Sequence, residues 1–298
     1  MTDIKKTGLV EFIERFGNDD ACREYICSTR WHDGFVCPVC GCKGYYYISI
    51  RHIYQCKNCR HQTSLTAGTV MDRSHLSLCV WFLAIYLVSH DKRGYSAKQL
   101  SNELHLPYNT SWFLLHRIRH TMEQRDGCYT LAGIVELDDT YIGKAQKGGK
   151  RGRGSVKTKV MIALSKDEAG KPKFIKMKVV KDLKGKTVGK FAKDSINEGT
   201  IIQSDAYRSY RKPLKDKYHH EFQVFDPDAG MLKWLHIIVG NAKAYILGTY
   251  HGLGRKHMQS YLNEFCYRFN RRSFKGDIFD RLLFAATVSD SIRFAELT

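Results

Sequence analysis

A chain of 298 residues, 43% of them hydrophobic and 12% aromatic, is long enough for two or three compact units, and wholesale disorder is excluded. Forty-eight Lys and Arg against thirty Asp and Glu leave a formal charge of +18, which points to a polyanionic partner, nucleic acid ahead of an acidic membrane surface. The most apolar stretch, Leu76 to Ser89, is too short to span a bilayer, and the opening MTDIKKTGLVEFIERF lacks the apolar run of a signal peptide, so a cytoplasmic protein without a membrane partner is expected. In chain order, Leu9, Phe12, Ile13 and Phe16, then Cys22, Tyr25 and Ile26, have helical spacing, with a break near Gly17-Asn18.

Two CxxC knuckles follow, Cys37-Pro-Val-Cys40 and Cys56-Lys-Asn-Cys59, with fifteen residues between them. Each pair can bite one cation from a tight turn, and a hairpin through the tyrosine-rich run Tyr45 to Ile50 would bring the two turns together. Four thiolates close a tetrahedral site with no open position, so a structural Zn²⁺ is expected. Cys42 does not fit the knuckle spacing, and the remaining cysteines are scattered, which argues against a disulfide framework. Arg51, His52, Lys57, Arg60 and His61 give the ribbon positive charge suited to phosphates, with protein contact as the other use.

From Leu76 to about His120 the pattern is helical again. Ser96 to Arg119 reads as a helix-turn-helix: Leu100 and Leu104 pack a first helix, Leu106-Pro107 turns, and Trp112, Leu115 and Ile118 face inward on a second. That leaves Tyr108, Asn109, Ser111, His116, Arg117 and Arg119 to meet DNA. Strand-like runs then cover Ile134 to Ile142, Lys159 to Leu164, Phe174 to Val180, Thr200 to Gln203 and Glu221 to Phe225. The basic, glycine-rich stretch from Lys144 to Lys159 is expected to be a hairpin loop in which Lys144, Lys147, Lys150, Arg151, Arg153, Lys157 and Lys159 clamp phosphates. The expected fold is a multidomain α/β protein: N-terminal helices and zinc ribbon over 1–70, a helix-turn-helix-like domain over 71–130, and a catalytic domain over 131–298.

The strand Ile134 to Ile142 carries the chemistry. Alternation puts Glu136, Asp138 and Thr140 on one face, Leu137 and Asp139 on the other. Acids inside an apolar strand are costly unless paired or bound to a cation. A second apolar strand ends on Asp205. Either aspartate alone could be a turn or cap residue, but carboxylates from two neighbouring strands can together hold Mg²⁺.

The motifs WHDGFVCPVCG, ELDDTYIGK, SDAYRSY, GNAKAYILGTYHGL and KHMQSYLNEFCYRFNRR extend this reading. Over about residues 9 to 290 the chain resembles the ISXO-type insertion-sequence transposases. The resemblance implies a ribonuclease-H-like domain in which three residues hold two Mg²⁺ (or Mn²⁺) ions, with Asp138 first and Asp205 second. For the third place the expectation is Asn241, with thirty-five residues between it and Asp205, as some members of this branch carry asparagine there. Glu264, in the last motif, is the reserve carboxylate, and His236 is the poorer Mg²⁺ ligand. Lys243, Arg268 and Arg271 are expected to touch DNA. Tyr267, Asn270 and Arg272 belong to the same aromatic and basic cluster, which could equally buttress the site. The implied activity is hydrolysis at an element's end followed by attack of the exposed 3′-hydroxyl on target DNA. The partners would be double-stranded DNA, both element ends and target, and a second copy of the chain in the synaptic complex. Two other readings stay open, a non-enzymatic DNA-binding regulator derived from a transposase and a nuclease that cuts without joining. A tyrosine recombinase is disfavoured because it leaves the acidic strand without a role.

Overall fold

The computed structural model describes residues 7–143, 157–224, 226, 230–251, 253–274 and 278–297. The chain divides into two units, Met1–Arg125 with Phe274–Thr298, and Asp126–Ser273.

The first unit opens with α1 (Leu9–Phe16) and α2 (Asp19–Arg30), separated where the sequence indicates. The Asn18 side chain caps α2 by accepting the Ala21 N–H at 2.9 Å. The antiparallel ribbon β1 (Tyr45–Ile48), β2 (Ile53–Cys56) and β3 (Gln62–Ser64) follows. Then come α3 (Leu78–His90), α4 (Ala97–Glu103) and α5 (Tyr108–Gly127). The Ser96 hydroxyl caps α4, and His105, at φ +50°, turns the chain between α4 and α5. Phe12, Phe16, Phe82, Tyr86 and Phe279 form an aromatic core with ring centroids 4.7 to 6.0 Å apart. Phe279 comes from α10 (Ile278–Val288), which is followed by the short α11 (Phe294–Leu297). Burial of that ring among α1 and α3 places the C-terminal segment in this unit, whereas the sequence grouped it with the catalytic part.

The second unit is built on a five-stranded sheet. Its strands are β4 (Ile134–Ile142), β5 (Thr158–Lys166), β6 (Pro172–Val180), β7 (Ile201–Asp205) and β8 (His219–Gln223). The spatial order is β6-β5-β4-β7-β8, antiparallel through the first three and parallel from β4 to β7 to β8. β8 begins two residues before the expected run. The helices are α6 (Gly185–Ser195), α7 (Arg208–Leu214), α8 (Lys233–Thr249) and α9 (Met258–Arg271). Val135, Leu137, Ala163 and Ile202 pack with Val188 and Phe191 of α6 and Tyr210 of α7. Ile162, Leu164 and Ile175, from the other face, pack with Leu235 and Val239 of α8 and Leu262 of α9. A sheet buried on both faces explains the near-continuous apolar run of β5.

α9, which contains most of the long C-terminal motif, closes the exposed edge of β6. Asn270 accepts the Ile175 N–H at 2.7 Å and donates to the Ile175 carbonyl at 3.0 Å. Gln259, three turns earlier, accepts the Val179 N–H at 2.7 Å and donates to the Met177 carbonyl at 3.0 Å. Two side-chain amides thus satisfy the backbone groups of an edge strand that would otherwise invite pairing with another chain.

Candidate metal centre and candidate active site

The two knuckles have the same backbone. Gly41 N–H returns to the Cys37 carbonyl at 3.0 Å, and Arg60 N–H to the Cys56 carbonyl at 3.1 Å. The residue after each second cysteine lies in the left-handed region, Gly41 at φ +70° and Arg60 at φ +58°. The four sulfurs of Cys37, Cys40, Cys56 and Cys59 all lie within 4.8 Å of one another, with Cys37–Cys59 and Cys40–Cys56 at 3.5 Å. Zn–S bonds of about 2.3 Å set a tetrahedral edge near 3.8 Å, so these residues fit structural Zn²⁺. The Cys42 backbone N–H holds the Cys40 thiol down to about 6, while burial and the three neighbouring sulfurs push Cys59 up to about 12. Cys42 itself points away and accepts the Gly44 N–H at 3.4 Å.

In the second unit, β4 and β7 run parallel with Leu137 opposite Ser204, so the next residues, Asp138 and Asp205, stand side by side on one face. Glu136 shares that face, one step back. Asp138 Oδ1 accepts the Asp139 N–H at 2.7 Å, and Asp205 Oδ1 accepts the Tyr207 N–H at 3.1 Å, turning the chain into α7. From the opposite face, the buried Tyr210 hydroxyl donates to Asp139 Oδ1 at 2.8 Å. Burial, then the charges of Asp139, Asp138 and Asp205, push that phenol far above its usual range and keep it a donor.

His236 and Asn241, both weighed for the third position, lie on different sides of α8. His236, in the first turn of α8, places Nε2 3.1 Å from Asp138 Oδ2. The hydrogen bond to Asp138 raises the imidazole above its ordinary pKa, against the partial burial that lowers it. Asn241 is exposed and five residues further along α8, which puts it about 140° around the helix from His236. Lys243, seven residues from His236, lies only about 20° off the same face. Its ammonium pKa is lowered by burial and by Lys157, with Asp138 acting in the opposite direction. The His-to-Lys spacing of seven, two helical turns, was the sequence signal for this face.

Several expected DNA contacts are internal. Arg117 is buried with its guanidinium 4.5 Å from the Phe113 ring, and Arg119 is buried and donates to the Tyr95 carbonyl at 3.3 Å. Ser111 and His116 are buried as well. The reserve carboxylate Glu264 is held inside the unit by Arg268 at 2.8 Å and by the Tyr250 hydroxyl at 3.5 Å. Arg271 is paired with Asp126 at 2.6 Å. Arg117, Arg119, Arg268 and Arg271, expected at DNA, thus fill interior positions, and the reserve carboxylate Glu264 is the ion-pair partner of one of them. Lys144, Lys147, Lys150, Arg151 and Arg153 lie outside the described residues. Unanticipated from sequence was the Lys166 ammonium between Glu136, at 3.1 Å, and Gln203, at 2.7 Å. Both contacts line a cavity of about 300 Å³ together with Glu221, Phe222 and Met231.

Residues 130–270 match the ISXO2-like transposase domain, and residues 17–62 match the transposase zinc-ribbon domain. The chain is 23% identical over 276 residues to an uncharacterized protein in transposable element ISH50 of Halobacterium salinarum, covering 85% of this chain and 91% of that one. Among solved structures it is similar to the Mos1 transposase paired-end complex with left transposon end, at 11% identity and a TM-score of 0.22 over 70% of this chain and 80% of that one. The Mos1 mariner paired end complex with Mn gives 12% identity and a TM-score of 0.26 over 69% and 78%. A four-cysteine ribbon that matches the transposase zinc-ribbon domain thus precedes a segment that matches the ISXO2-like transposase domain.

Proposed function

We propose that the second unit is a ribonuclease-H-like domain that cleaves and joins DNA at Asp138 and Asp205, with His236 as the third residue. The supporting observation is the register of two parallel strands that sets the two aspartates side by side, with the His236 imidazole on one of them. The strand order, three antiparallel strands and then two parallel ones, agrees with that fold. Two carboxylates and an imidazole suit a divalent cation, and the nitrogen donor favours Mn²⁺ over Mg²⁺. Such ions, when bound, supply activation of a nucleophilic oxygen and stabilisation of the leaving one in an in-line displacement at phosphorus.

The chain's own residues supply the rest. Asp138, midway along β4, and Asp205, at the end of β7, bring two carboxylates together, and Tyr210 fixes the neighbouring Asp139 from behind. Lys243, on the His236 face of α8, is placed to meet a phosphate oxygen. His236 Nε2, 3.1 Å from Asp138 Oδ2, would be the nitrogen donor to a cation held there. Double-stranded DNA is the partner, contacted by the basic residues that remain outside the core, Lys157 and Lys159 among them. Two chains would act together, one for each element end.

The test uses DNA with a pre-cut 3′-hydroxyl end, a plasmid target, and Mg²⁺ or Mn²⁺. Metal-dependent joining by the wild-type chain, abolished in Asp138→Asn and Asp205→Asn while DNA binding persists, is the expected result. Binding of the end sequence without cutting or joining would favour a regulator instead, and cutting without joining a nuclease.

A further inference from the structure

α8 starts without a cap of its own. Leu232, just before it, is in the left-handed region at φ +53° and has no polar side chain to offer. The first backbone N–H groups of any helix need acceptors from outside it. One of them, from Leu235, donates to Glu136 Oε2 on β4 at 3.3 Å. Glu136 is only 5% exposed, and a carboxylate buried to that degree needs a cation. Lys166, from the end of β5, meets its other oxygen at 3.1 Å. The same ammonium donates to Gln203 Oε1 at 2.7 Å, and Gln203 Nε2 donates to Glu221 at 3.0 Å. A chain of contacts therefore crosses four strands and ends on the first turn of α8.

The attachment sits beside the proposed metal-holding residues. Leu235 and His236 are consecutive on α8, while Glu136 and Asp138 are successive residues on one face of β4. The strand thus grips the helix twice, by the Leu235 N–H through Glu136 and by the imidazole of His236 through Asp138. A carboxylate at a helix N-terminus also gains from the helix dipole. We propose that Glu136, held in place by Lys166, is a positioning residue that caps α8 from the neighbouring strand and so aims His236 at Asp138. This inference rests on reading Asp138, Asp205 and His236 as the reacting centre, and it adds a role for a buried acid that this reading does not use.

The experiment compares full-length E136A, E136Q and K166M with wild type by hydrogen exchange of peptides spanning 232–240, without added metal, and by joining and DNA affinity in Mn²⁺. Loss of a cap predicts exchange in that segment roughly tenfold faster in E136A, with β5 and β7 unchanged. E136Q keeps an oxygen for the Leu235 N–H, so it should retain most of the protection and most of the joining rate. In E136A the joining rate falls at saturating DNA while the Kd for DNA stays at the wild-type value. Should E136A not fold, K166M loosens the same segment by stranding the carboxylate, and E136Q/K166M restores it. Unchanged exchange in E136A, or a double variant that fails to recover protection, would overturn the proposal. So would E136Q as inactive as E136A with α8 protected in both, since Glu136 would then take part directly. If wild type itself does not join DNA, the exchange data still decide the capping role, and only the reading of the reacting centre fails.

Discussion

Replacing Glu264 separates a structural acid from a metal-holding one. Its side chain is 1% exposed and its Oε1 accepts two hydrogen bonds from Arg268, from Nε at 3.1 Å and Nη2 at 2.8 Å, with the Arg268 side chain 12% exposed. Glu264→Ala leaves that cation buried without its anion, which costs about 3–5 kcal/mol. For a unit of this size each kcal/mol moves the melting temperature by about 2–4 °C, so a drop on the order of 10 °C is expected. Differential scanning calorimetry measures it, and a calorimetric Mn²⁺ titration below the transition should match wild type. Glu264→Met combined with Arg268→Met removes both charges, and should recover most of the loss because an apolar pair of similar volume can replace a buried ion pair. Tyr250 keeps a partner in the double variant, since its hydroxyl lies 3.1 Å from that of Tyr245. A Glu264→Ala chain with an unchanged melting temperature and lost Mn²⁺ binding would refute the reasoning and return Glu264 to the reacting centre.

Arg119→Met should lower stability by about 1–3 kcal/mol in urea unfolding, through the Tyr95 carbonyl it leaves without that donor, and leave the Kd for DNA within error. Cys59→Ser, or a strong chelator, should release one Zn²⁺ per chain to a colorimetric indicator and expose the ribbon hairpin to protease. The residues 126–273 should keep their protection in the same digestion. Asn270→Ala strips the Ile175 edge of both its side-chain partners, so light scattering during mild heating should show earlier self-association than in wild type.

The strands were legible because their apolar runs are strong. β4 was bounded as Ile134 to Ile142 from pattern alone, and Asp138 and Asp205 stood out as acids in apolar surroundings. The knuckles were legible for another reason, since metal geometry dictates a spacing that chance rarely gives. What composition could not show was which charges are internal. Arg117, Arg119, Arg268 and Arg271 look like a phosphate-binding set until partners distant in sequence appear, such as Asp126 for Arg271 and the Tyr95 carbonyl for Arg119. Helical phase was not legible either. The resemblance points to Asn241, whereas the face of α8 turned toward β4 is set by Leu235, Val239 and Ala242 in the core, and that phase brings His236 to Asp138. The surroundings of Phe279 were hidden for a similar reason: an aromatic ring near the C-terminus does not announce that its partners are Phe12 of α1 and Tyr86 of α3.

The most direct test of the account is a comparison of His236→Ala with Asn241→Ala in Mn²⁺-dependent joining of a pre-cut end, with DNA affinity measured in parallel. The account expects His236→Ala to lose joining while it still binds DNA, and Asn241→Ala, on the far side of α8, to join at close to the wild-type rate. Loss of joining in Asn241→Ala with activity retained in His236→Ala would contradict it.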